Sequence, residues 1–202
     1  MDIQSAVLHS VAAHADAYAA ASDAIWDHPE VNFHEDFASE TLIRLLRENG
    51  FAVETGLCGL PNAFRAQYGG GTPVIAFLGE FDALSALSQK AGCAVREPVQ
   101  SGAPVIALLG EFDALSALSQ KAGCAVREPV QGGAPGHGCG HNLLGVGALA
   151  AAVAVKELIE AGVLRGTVVY FGCPAEETAS AKAFLARDGA FAGIDAMLTW
   201  HP

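Results

Sequence analysis

Residues 141–172, HNLLGVGALAAAVAVKELIEAGVLRGTVVYFG, decide the fold class. His141–Asn142 opens a long apolar, alanine-rich run that predicts a helix to about Ala161, and Gly162 supplies the residue that stops it. Thr167–Gly172 then reads as a buried strand. Further out, Ser180–Arg187 predicts a helix ending at Gly189, and Ala196–Trp200 a last strand. Strands and helices alternating at these lengths predict an α/β fold, a mostly parallel sheet flanked by helices and joined by right-handed crossovers. Polar residues just past the carboxyl ends of such strands form the site.

Upstream, Asp2 to about Trp26 carries Ile3, Val7, Leu8, Val11, Ala15 and Tyr18 at helical spacing, and His28–Pro29 closes that first helix. A second helix is expected from His34–Glu35 to Asn49–Gly50, followed by a strand near Phe51–Glu54. Ala63–Tyr68 and Val74–Leu78 read as strands around the glycine corner 69–71, with a hairpin between them. Asp82–Lys90 has helical propensity, Val105–Leu109 repeats the preceding strand, and 123–140 reads as loop.

Residues 73–103 reappear as 104–134 with 29 of 31 positions identical, the exceptions being Phe77 against Leu108 and Ser101 against Gly132. Two copies without further periodicity do not make a solenoid, which needs three or more units and caps. One copy is therefore expected in the sheet and the other as an insertion, which loop-closure entropy tolerates. Copy two, next to the polar cluster at 136–142, is favoured for the sheet position over copy one. The displaced copy would expose or edge-pair an apolar strand, which predicts self-association.

The chain has 202 residues, 51% hydrophobic and 16% charged, with a formal net charge of −11, so it can bury a core. Eleven basic residues scattered against twenty-two acidic ones form no stripe for phosphates, which argues against nucleic acid and anionic membrane as partners. The apolar runs read as too short to span a bilayer. An odd number of cysteines and no evident secretory signal lead us to expect a cytoplasmic protein.

Three potential metal ligands lie in Gly136-His137-Gly138-Cys139-Gly140-His141-Asn142, a glycine-rich bend directly before a helix, with Cys139 and His141 the strongest pair. Glu176 and Glu177 follow a buried strand, where one carboxylate can bind an ion while its neighbour holds a water beside it. Standing alone, the pair would read equally well as acids starting a helix. His201 follows the last strand, so Cys139, His141, Glu177 and His201 can converge from separate strand ends. Sulfur, nitrogen and oxygen donors together suit zinc, with manganese or cobalt also admissible. Asp113, or its rival Asp82 in the other copy, could present a carboxylate to the second nitrogen of His141. His9 and His14 read as surface or structural, His28 and His34 as flanking a proline turn, and His137 as a substrate contact or a cap on the bend. Cys58, Cys93, Cys124 and Cys173 read as small buried or loop residues.

These motifs together resemble the M20 metallopeptidases, in the amidohydrolase branch with a Cys-Gly-His ligand motif. The likeness rests on Trp26-Asp27-His28-Pro29-Glu30, the Gly-Glu-Phe-Asp-Ala-Leu strings, Gly136–Gly145, Gly172–Glu177 and Leu198-Thr199-Trp200-His201-Pro202. The resemblance implies that Cys139, His141, Glu177 and His201 ligate one or two divalent ions. It further implies that Glu176 is the general base and proton shuttle, and that Asp113 or Asp82 supports the cluster. The implied reaction is hydrolysis of a small amide bearing a free carboxylate, such as 4-aminobenzoyl-glutamate. A second hydrolase subunit or a second copy of the chain is the implied protein partner.

The chain departs from the family pattern in having Ser85 and Ser116 where proline is usual, and in its duplication. It also departs in ending before a lid and dimerisation domain, so residues 1–202 are expected to form part of a catalytic domain. The competing reading is a catalytically inactive remnant that binds metal or oligomerises. A phosphate-loop reading of the glycines at 136–147 fails because they do not follow a strand in that arrangement.

Overall fold

β5, Gly166–Cys173, is buried along its whole length and is the hub of a mixed six-stranded sheet. The computed structural model describes residues 2–31, 33–77, 106–111, 114–115, 119–124, 126 and 128–202. On one side of β5 lies β2, Phe64–Gly70, antiparallel from Phe64↔Gly172 to Gly70↔Gly166, and beyond it β1, Ala52–Thr55, also antiparallel. On the other side lie β3, Val74–Phe77, and β4, Ile106–Glu111, both parallel to β5, with β6, Ala196–Leu198, parallel beyond them.

The sheet is therefore mixed rather than mostly parallel. β1 and β2 are joined by a short connection, which permits only antiparallel pairing. The expected hairpin between residues 63–68 and 74–78 is replaced by a corner: β2 and β3 flank β5 on opposite sides. The corner closes tightly, with the Thr167 amide donating to the Pro73 carbonyl at 2.7 Å. Gly166, at φ +119°, leaves room for that carbonyl, which a Cβ would strike.

Alternation along β5 sends its side chains to two cores. Val168 and Tyr170 join Ile25, Leu42, Leu46, Phe64, Leu149 and Val153 beneath the larger helices, while Val169, Phe171 and Cys173 meet Ala63, Ala76 and Leu185 on the opposite face. The first face is covered by α1 (Ile3–Ala13), α2 (Ala15–Asp27), α3 (Asp36–Glu48) and α4 (His141–Glu160), the second by α6 (Ala181–Arg187) and the residues around Phe191. The expected single first helix is broken at His14, whose φ of −108° and ψ of 7° separate α1 from α2. Its Nε2 lies 3.1 Å from Glu157 Oε1 on α4.

α4 corrects a further expectation, since by length and composition it is apolar enough to cross a bilayer. Most of it is nevertheless buried as the domain's central helix, against β4, β5 and the first two helices.

Both repeat copies enter the sheet, where only one was expected. They do so at one position: Ala76 and Ala107, equivalent residues 31 apart, both pair with Val169, and Phe77 and Leu108 both pair with Leu198. β3 matches β5 over Thr167–Val169 and β4 over Val169–Cys173, so copy one meets the beginning of the slot and copy two its carboxyl end. Equivalent residues of the two copies thus have the same partners on β5 and β6, as a nearly identical sequence carries an identical register preference. The expected helix Asp82–Lys90 lies outside the described residues.

Candidate metal centre

His141 is the first residue of α4 and is 0% exposed. The loop before it turns through Gly140, at φ +78°, and is tied to α2 by side chains. His137 Nε2 lies 3.1 Å from the Ile25 carbonyl, and Asn142 Nδ2 donates to the carbonyl and hydroxyl of Ser22 at 3.3 and 3.0 Å. These contacts fix the bend that carries Cys139, which is half-buried.

The two glutamates arrive from β5. After Cys173 and Pro174 the chain passes through Ala175, at φ +53°, and enters the one-turn helix α5, Glu176–Ala179. His201 arrives from β6 through Thr199 and Trp200. Pro202 packs over Gly140 and Trp200 over Gly147, so residues 200–202 lie along the start of α4.

Two groups of donors result, and His141 belongs to both. The ligating atoms of Cys139, His141 and His201 all lie within 4.8 Å of one another, as do those of His141, Glu176 and Glu177. His141 Nε2 is 3.9 Å from Glu177 Oε1, and the His141 and His201 rings meet edge-on with centroids 5.7 Å apart. Donors about 2.0–2.3 Å from a shared ion stand at nearly this spacing. One thiol, two imidazoles and two carboxyl groups at this spacing match a divalent ion that takes mixed sulfur, nitrogen and oxygen ligands.

The structure thus brings together Cys139, His141, Glu176, Glu177 and His201. Asp82 and Asp113 lie outside the described residues. Near Asp113, the Ala114 amide donates to the Glu30 carbonyl at 2.7 Å, and Leu115 forms an isolated bridge with Gly136 in the ligand loop. His137 serves the fold from within it, 5% exposed and stacked on Trp26 with centroids 6.3 Å apart. His28 stacks on Phe37, and His9 and His34 are exposed. Two acids escaped the sequence reading as structural anchors. Glu30 accepts the Phe37 and Ala38 amides at the start of α3, and Glu35 is buried with contacts near Ala175. Only the place of Glu35 at a helix start was visible in the sequence, and that is a common position for an acid.

Residues 107–202 match the family model for peptidase family M20/M25/M40. The chain is 43% identical over 185 residues to a subunit of the p-aminobenzoyl-glutamate hydrolase of Escherichia coli, a match covering 92% of this chain and 32% of that protein. It is 29% identical to a mouse Xaa-Arg dipeptidase, over 93% of this chain and 35% of the dipeptidase. The chain thus spans about a third of the length of these relatives. Among solved structures, the YXEP protein of Bacillus subtilis, a dinuclear metal-binding peptidase of the M20 family, superposes with a TM-score of 0.67 at 20% identity, over 94% of this chain and 43% of that one. A protein from methicillin-resistant Staphylococcus aureus superposes with the same TM-score and identity, over 98% of this chain and 42% of that one.

Proposed function

Because the chain belongs to the M20/M25/M40 peptidase family, we propose that it holds one or two divalent ions, zinc or manganese, and serves metal-dependent hydrolysis of an amide bond. The substrate class is a small amide with a free carboxylate, and 4-aminobenzoyl-glutamate, named in the E. coli relative, is the compound to test first. The observation that carries this reading is the meeting of donors from the ligand loop, the β5 exit and the β6 exit around His141.

Cys139, His141, Glu177 and His201 would hold the metal, which when bound supplies Lewis acidity toward the amide carbonyl and the attacking water. Glu176, 9% exposed and grouped with His141 and Glu177, would take a proton from the attacking water. As the new carbon–oxygen bond forms and the carbon–nitrogen bond breaks, the same carboxyl group returns that proton to the departing amine. Asp113 or Asp82 would orient His141 through its second ring nitrogen. A second hydrolase subunit or a second copy of the chain is the proposed partner, in line with the E. coli relative being named as one subunit of a hydrolase. The proposed location is the cytoplasm.

Metal analysis of the purified chain and an assay of 4-aminobenzoate release, run on wild type and Glu176→Ala, test the proposal. Metal in both and turnover in wild type alone is the expected result. Metal in both with indistinguishable turnover would establish the alternative, a metal-binding remnant without catalysis.

A further inference from the structure

Glu35 is 0% exposed, and its Oε1 accepts two backbone amides, that of Phe33 at 3.1 Å and that of Ala175 at 3.2 Å. Both donors are non-glycine residues at positive φ, +64° and +53°. Among the described residues only four non-glycine positions take such angles, and two of them meet on this one oxygen. Side chains disfavour that backbone region, so a residue stays in it when its surroundings hold it there.

The contact matters because of the residues that Ala175 leads into. Glu176 and Glu177 open α5, a single turn entered through Ala175 and left through Ser180, itself at φ +49°. One turn has almost no intrinsic helical stability, so its direction is set by how its ends are anchored. The Ala175 carbonyl receives the Ala179 amide at 3.0 Å, while the Ala175 amide is held by Glu35. Glu35 comes from the segment before α3, 140 residues away in sequence, so a rigid part of the helical layer sets the angle at which the chain leaves β5.

We propose that Glu35 is a positioning residue: by holding the Ala175 amide it fixes the turn that presents Glu176 and Glu177 to His141. It touches neither substrate nor the reacting atoms in this role, which rests on the metal-site reading above. Without it, the Ala175 and Phe33 amides lose a buried acceptor and Ala175 is free to leave its positive φ.

The test uses the whole chain with Glu35→Ala, Glu35→Gln, Ala175→Gly and the double variant Glu35→Ala/Ala175→Gly. Zn²⁺ affinity is measured by calorimetry and exchange of the Ala175 amide by NMR. Glu35→Ala should weaken Zn²⁺ binding by about tenfold or more and speed exchange at Ala175. Glu35→Gln, which keeps an acceptor oxygen, should retain most of the affinity. The double variant should recover part of the loss, because glycine adopts positive φ without a Cβ clash. A folded Glu35→Ala with wild-type affinity and unchanged Ala175 exchange overturns the proposal, as does a double variant with no recovery. Should Glu35→Ala fail to fold, Glu35→Asp, whose carboxyl is one methylene short of the Ala175 amide, takes its place: it should weaken Zn²⁺ binding and speed exchange at Ala175, and wild-type values for both overturn the proposal. If wild type itself takes up no Zn²⁺, the metal-site reading fails, and Ala175 exchange alone judges Glu35.

Discussion

Trp200 packs so closely on Gly147 of α4 that a Cβ at that position would fall 2.6 Å from Cζ2 of the indole. The next residue but one, Pro202, sits less tightly over Gly140, where a Cβ would lie 3.1 Å from its Cγ. His201 is thus held between two contacts that exist because α4 and its cap carry glycine where the tail crosses them.

Gly147→Ala sets helix propensity against the site. Alanine in a helix interior is favoured over glycine by about 0.5–1 kcal/mol, yet its methyl group would displace Trp200 and with it His201. We expect a fold at least nearly as stable as wild type, with Zn²⁺ affinity lower by about tenfold. Calorimetric titration alongside thermal unfolding checks both halves, and unchanged affinity would show that His201 is not held this way.

Metal should stabilise the chain, since the donors are collected only in the folded state. At Zn²⁺ a hundredfold above Kd the gain is about 2.7 kcal/mol, which for a domain of this size raises Tm by roughly 5–11 °C. Chelation should reverse it. Cys139→Ser should shrink the rise and abolish the thiolate-to-metal absorption of the Co²⁺-substituted protein; an unaltered Co²⁺ spectrum would remove Cys139 from the ligand set.

The repeat can be excised without a scar. Deleting 73–103 joins Thr72 to Pro104, and deleting 104–134 joins Ala103 to Pro135, each restoring a junction already present in the chain. Both deletions leave one strand for the slot between β5 and β6, so both should unfold cooperatively with stability within about 1 kcal/mol of wild type, the scale of a modest change in loop length. Loss of the cooperative transition in both would mean that the slot requires the two copies together.

Burial raises the Glu157 carboxyl, but the polar side chains of Ser10 and His14 beside it and the nearby charges outweigh it and hold the group below its ordinary 4.5. A carboxyl lowered on folding stabilises the native state above its unfolded value, and that contribution disappears as pH falls through the folded one. Glu157→Gln should therefore cost about 1 kcal/mol or less near pH 7, given that the pair is a third exposed. The gap from wild type should narrow below pH 4.5; denaturant midpoints measured across acid pH would expose a gap that instead stays constant.

Much of the architecture was legible because it is written in local pattern. α3, α4, α6, β5 and the Gly50 turn, at φ +83°, follow from periodicity and from residues that stop helices. That Cys139, His141, Glu176, Glu177 and His201 could come together was legible because each stands where a strand or loop meets a helix or the end of the sheet. The break at His14 was not, since the apolar spacing runs through it, and neither was the mixed sheet, since a strand's pattern does not record the direction of its neighbour.

By itself, then, the sequence determined the α/β class, the helices and strands with strong periodicity, and which thiol, imidazole and carboxyl groups stand at the ends of elements that meet around His141. Only the tertiary structure decided that β2 runs antiparallel beside β5, that two near-identical segments claim one slot, and that a carboxyl group at position 35 holds the backbone before Glu176. The division has a physical cause: local pattern sets dihedral preference and burial, whereas strand neighbours and the partners of buried polar groups are set by packing between residues up to 140 positions apart.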